Sequence, residues 1–201
     1  MITDKYRNFA DLSGSERLER DFRIRLRERP GGIAIIAPHG GDIEPGTSEI
    51  AEAVAGNEHS FYAFEGIKPG RNRDLHITST RFDEPRCTSL VMAAGRVIAI
   101  HGAEGGRETV FLGGLDETIL RRLHDSFTDM GISVKRHRPT MQGIAEANVC
   151  NRARSHCGVQ LEVSRGLRRT FFDSLSREGR ESKTMHFDKF IAAVRAGIVV
   201  L

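Results

Sequence analysis

Two apolar runs, Ile33-Ala-Ile-Ile-Ala37 and Val97-Ile-Ala-Ile100, each lead within two residues into a His-Gly pair, and they limit the folds open to this chain more than any other feature. Runs without polar alternation fit strands covered on both faces, as in a parallel sheet flanked by helices. Phe22-Arg-Ile-Arg-Leu-Arg27 instead alternates with period two, the pattern of a strand with one buried face near a sheet edge. Pro30-Gly-Gly turns the chain into the first run, and Pro38 is expected to end it. Thr47 or Ser48 then caps a helix through Ile50, Ala51, Ala53 and Val54 that Gly56 stops. Further strands are expected at 61–64, 109–114, 132–135 and 159–163. Helices are expected at 115–130, from the stripe Leu115, Ile119, Leu120, Leu123 and Phe127, and at 187–196. Strands alternating with helices give an α/β domain with a mixed, mostly parallel sheet flanked by helices. Residues 1–20 are polar and irregular and read as a surface arm with a short helical turn near Asp11; 21–201 form the single domain.

In such sheets, sites collect outside the carboxyl ends of strands. That rule selects His39 after the first run, His101 after the second, and Glu162 in Val159-Gln-Leu-Glu-Val163. A catalytic zinc takes three protein ligands from His and carboxylates and keeps a fourth position for water. His39 and Glu44 stand five apart in Pro38-His-Gly-Gly-Asp-Ile-Glu-Pro-Gly-Thr-Ser48, where paired glycines let the backbone fold tightly enough for both to meet one ion. His101 is the third candidate ligand, and Asp42 is an alternative ligand or a partner for a His N–H. Each feature also has a plainer reading. Glu44-Pro-Gly is compatible with an ordinary turn, and Glu162 with a structural pair to Arg165 or Arg168.

Composition narrows the function classes. The net charge of +3 comes from 30 basic and 27 acidic residues, and aromatics make up only 6%, few for base stacking, so a nucleic-acid-binding module using the Arg-rich surface is the weaker reading. Arg outnumbers Lys 25 to 5, and planar guanidinium forks suit a carboxylate-bearing substrate. No apolar run nears the roughly 18–20 residues of a membrane span, and 1–29 lacks a signal-peptide core, so a cytoplasmic start with no membrane partner is expected. Cys87, Cys150 and Cys157 form no CxxC pair, so they read as reduced thiols, and a Cys-His nucleophile built from Cys150, His156 and Cys157 lacks an orienting partner. GxSxG and P-loop motifs are absent from the sequence.

Four segments, Ala37-Pro-His-Gly-Gly-Asp-Ile-Glu-Pro-Gly-Thr-Ser-Glu49, Leu75-His-Ile-Thr-Ser-Thr-Arg-Phe-Asp-Glu-Pro85, Ile100-His-Gly102 and Gln160-Leu-Glu-Val-Ser-Arg-Gly-Leu-Arg168, resemble, in order, those of phage-type poly-γ-glutamate hydrolases. The resemblance implies a zinc carboxypeptidase-like fold, a zinc held by His39, Glu44 and His101, and Glu162 as the general base for hydrolysis of γ-glutamyl amides. It departs from the larger zinc carboxypeptidases in that their first His and Glu are closer together than the five-residue separation here. The implied partner is an anionic polymer with a free α-carboxylate on every unit, which calls for Arg donors. Arg165 is the first candidate, then Arg81, Arg152, Arg71 and Arg73, with His76 binding substrate or holding a loop. A monomer is expected, and a phage or prophage enzyme released at lysis suits the missing signal peptide. A zinc amidase or deacylase of the same fold, acting on another acyl-amide or aminoacyl ester, is the nearest alternative.

Overall fold

The computed structural model describes residues 4–30, 32–136 and 142–199. Gly31 of the turn before the first apolar run lies outside them. In chain order the elements are α1 (Phe9–Ser13), β1 (Phe22–Arg27), β2 (Ile33–Gly41), α2 (Thr47–Ala55), β3 (Ser60–Gly66), α3 (Pro85–Ala93), β4 (Arg96–Ala103), β5 (Val110–Gly114), α4 (Glu117–Asp129), β6 (Val134–Arg136), β7 (Val159–Ser164), α5 (Arg165–Thr170) and α6 (Met185–Ile198), with 3-10 turns at Asn72–Leu75, Val149–Arg152 and Gly179–Glu181.

Among the described residues the sheet has seven strands in the order β1-β3-β2-β4-β7-β5-β6. Strands β3, β2, β4 and β7 are mutually parallel, β1 closes one edge antiparallel to β3, and β5, antiparallel to β7, carries the parallel β6 at the other edge. The expected mixed, mostly parallel sheet is therefore present, and the alternating Phe22–Arg27 run is its edge strand.

Period-two alternation divides each central strand between two cores. Ile33, Ile35, Ala37, Ile98, Ile100, Val159 and Leu161 face α2, α4 and α6. Ala34, Ile36, Val97 and Ala99 face the opposite layer, which includes Ile77, Phe82 and Leu90 of the 75–94 region and Tyr6 and Leu12. The first twenty residues thus lend side chains to a core instead of only lying on the surface.

Pro38 does not end its strand. Pairing of β2 to β4 stops at Ile36–Ala99, and the register against β3 shifts between Ala37 and Gly40, so the missing proline N–H falls where the ladder is already interrupted. The shift has a functional consequence. Counting by two from Ile33 would send His39 toward the helices α2, α4 and α6; the irregularity turns it to the face where His101 projects. Helix α2 starts after Gly46, whose φ of 99° only glycine adopts freely. Ser48, expected to cap that helix, instead accepts the Gly41 N–H.

Candidate metal centre

His39, Glu44 and His101, from the ends of β2 and β4 and the loop between them, are all buried, and one ligand atom of each lies within 4.8 Å of the others. The His39 ring nitrogen Nε2 is 2.8 Å from the carbonyl oxygen of Ile77. A carbonyl only accepts, so Nε2 carries the hydrogen, and a neutral His39 keeps its Nδ1 lone pair. That Nδ1 lies 3.4 Å from Glu44 Oε1 and 3.2 Å from His101 Nδ1. The backbone N–H of Gly102 donates to Glu44 Oε2 at 2.8 Å, leaving Oε1 beside His39 while Oε2 lies 3.8 Å from His101 Nδ1. Two imidazoles and one carboxylate brought together, with backbone groups fixing the outer atoms of His39 and Glu44, form the donor set a catalytic zinc uses, so the residues fit that metal.

The electrostatics show a cluster arranged around one positive charge. Burial raises the Glu44 carboxyl, but the His39 charge outweighs it and lowers the carboxyl to about 2. Burial works against a charge on His39, yet the neighbouring Glu44 carboxylate outweighs it and holds that imidazole above its ordinary value. His101 is pushed down to about 3 by burial and by His39.

Gly102 sets the fit of Glu44. A methyl there would lie 2.8 Å from both the Glu44 Cβ and the Arg168 guanidinium carbon, and Arg168 is itself buried, donating to the carbonyls of Val163, Pro45 and Ala103. Gly102→Ala is therefore expected to displace the Glu44 carboxylate and weaken zinc binding about 10–100-fold, the range of outer-partner changes. Competition against a chelating dye measures it; an unaltered affinity would show that the Glu44 loop yields without cost.

The triad forms the floor of a cleft of about 420 Å³. Glu162, buried, stands directly across from His101 in the β4–β7 register and lines the same cleft with Gln160 and Asn148. Gln160 Nε2 is 3.3 Å from Glu162 Oε1, and Asn148 donates to Gln160 at 3.0 Å. Sequence reasoning did not select Gln160, although period two from Glu162 places it on the same face. His76 also lines the cleft: its ring lies 3.9 Å from that of His39, and Nε2 is 3.9 Å from Glu44 Oε1. Burial and the His39 charge push it down to about 4. Its Nδ1 meets Asp4 at 2.7 Å, and the same Asp4 accepts from the Thr78 N–H and from Arg81. A carboxylate from the start of the chain thereby holds one wall of the cleft.

Other expected site residues lie elsewhere. Arg81 is paired to Asp4 at 2.6 Å. Arg152 is committed to the carbonyls of Ser79, Thr80, Phe82 and Ala147, so it fixes the rim of the cleft and does not face into it. Asp42 is taken by Arg177 and Arg180 and is not part of the triad. Arg71 pairs with Asp74. Arg165 and Arg73 line a separate pocket on the far side of Glu44. Cys150 is buried and its thiol is pushed up to about 12, which removes it as a nucleophile. Among the described residues, no helix is long and apolar enough to cross a membrane.

Comparison with known proteins agrees with this geometry. The family model for poly-gamma-glutamate hydrolase matches residues 6–193. The chain is 33% identical over 196 residues to the UPF0714 protein YmaC of Bacillus subtilis (strain 168), covering 96% of this chain and 83% of that protein. It is 32% identical over 197 residues to the SPbeta prophage-derived UPF0714 protein YoqZ of the same organism, covering 96% and 71%. A solved bacteriophage poly-gamma-glutamate hydrolase superposes with a TM-score of 0.94 at 29% identity, over 97% of this chain and 96% of that one. The apo, zinc-free structure of YNDL superposes with a TM-score of 0.89 at 31% identity, over 95% of each chain.

Proposed function

This chain belongs to the poly-gamma-glutamate hydrolase family, and on that premise we propose that it is a zinc-dependent hydrolase cleaving the γ-glutamyl amide bonds of poly-γ-glutamate. The observation that carries the reading is the buried meeting of two imidazoles and a carboxylate on the floor of a cleft, with a second carboxylate, Glu162, in register beside His101. The description of a relative's structure as zinc-free supports zinc as the metal.

In this reading His39, His101 and Glu44 would hold the ion. Zinc, when bound, supplies a Lewis acid that acidifies water and polarises a carbonyl. Glu162 takes the proton of the attacking water and passes it to the departing amine, a role that requires a carboxylate aimed into the same cleft. Gln160 and Asn148 orient Glu162, and Asp4 keeps the His76 ring turned toward the cleft. Gly102 and Arg168 hold the Glu44 loop in place.

Zinc-loaded protein mixed with poly-γ-glutamate is expected to shorten the polymer on a gel, and chelator-stripped protein to leave its length unchanged. An unshortened polymer with fully loaded protein would exclude this substrate and direct attention to other acyl-amides.

A further inference from the structure

The pocket on the far side of Glu44 is built like a receptor for a carboxylate. It encloses about 280 Å³ and is shared by three arginines from two separate segments. Arg73 comes from the 3-10 turn Asn72–Leu75, and Arg165 and Arg168 come from α5. Arg168 is almost fully buried and locked to backbone carbonyls, so it is a fixed positive charge in the pocket wall. Arg73 and Arg165 are about half exposed, at 49% and 51%. Each approaches one oxygen of Glu104, at 3.6 and 3.8 Å, beyond hydrogen-bond distance. Both guanidinium groups thus flank the Glu104 carboxylate at ion-pair distance.

Two more acids border the pocket. Asp42 is paired to Arg177 and Arg180, and Glu44 accepts from Gly102 and turns toward the imidazoles. Ile43, Pro45 and Leu175 complete the walls with apolar surface. Glu44 borders both this pocket and the metal cleft, so the two lie on either side of one buried carboxylate.

We propose that Arg73, Arg165 and Arg168 form a subsite for the α-carboxylate of a glutamyl unit next to the scissile bond, with Glu104 as an internal carboxylate that the substrate displaces. This rests on the hydrolase reading above and assigns the recognition that reading leaves open. Every unit of poly-γ-glutamate carries such a carboxylate, and a guanidinium pair grips it through charge-assisted hydrogen bonds.

Steady-state kinetics of the zinc-loaded enzyme on short γ-glutamyl oligomers test it, with oligomers whose α-carboxylates are converted to amides as controls. Arg73→Ala and Arg165→Ala are each expected to raise KM for the acid oligomer about 10–100-fold, the value of a charged hydrogen bond, while moving kcat far less. Glu104→Gln is expected to lower that KM, and the amide oligomer to be insensitive to all three substitutions. An unchanged KM in both Arg variants, or a raised KM in Glu104→Gln, overturns the subsite. If the loaded wild-type enzyme cleaves neither oligomer, the hydrolase reading fails on its own. Calorimetric binding of the acid oligomer then decides: Arg-dependent binding upholds the subsite, and equal binding by wild type and variants overturns it.

Discussion

Glu162→Gln is expected to retain one zinc per chain while losing hydrolysis of γ-glutamyl amides by about 10²–10⁴-fold, the contribution of a positioned general base. The two halves of that expectation follow from different contacts. Glu162 is not among the three residues whose ligand atoms converge, so its replacement leaves the metal donors untouched. It does line the cleft that the triad floors, across the strand pair from His101, so the expected loss is in proton transfer. Glutamine keeps the size of the side chain and a carbonyl oxygen for Gln160 Nε2, which limits any structural cost. Metal content by elemental analysis, beside turnover of zinc-loaded protein, separates the outcomes. Turnover within a fewfold of wild type would remove Glu162 from proton transfer, and loss of zinc would make it a ligand.

The convergence of His39, Glu44 and His101 was legible because its signal is local. Strand-forming runs followed by His-Gly place ring nitrogens at strand ends, and a Gly-rich loop brings Glu44 back to them. What period two could not give is the register shift between Ala37 and Gly40, which sets the face on which His39 sits. Helix α3 went unassigned in the sequence although Glu84-Pro85 carries the signal of a capped start with proline at the first turn. Asp4 was beyond sequence reasoning for a different reason: its partners are more than 70 residues away, and no local pattern records such a contact. Arg152 and Arg165 illustrate the same limit. Nothing in sequence separates a guanidinium that clamps four carbonyls from one that faces a pocket.

Zinc binding is expected to release about one proton per chain near and below neutral pH, because the metal takes the place that a proton holds on His39. In the metal-free cluster Glu44 stays ionised, with its carboxyl at about 2, and His101 stays neutral, at about 3. His39 alone of the three is held above its ordinary value. A ligand imidazole must be neutral, so below the His39 pKa each zinc displaces that proton and affinity falls about tenfold per pH unit of acidification. Above that pKa the ring is already neutral, proton release vanishes and affinity levels off. Calorimetry in buffers of different ionisation enthalpy counts the protons. Zinc at 1,000 times Kd is also expected to stabilise the fold by about 4 kcal/mol, roughly 8–16 °C in Tm for a chain of this size. His101→Ala, which deletes one donor and leaves Glu44 and His39 paired, should abolish that thermal shift and lower affinity beyond the about 10–100-fold that outer partners command. Proton release that stays at zero from pH 6 to 7, or a full thermal shift in His101→Ala, would show that the ion binds elsewhere.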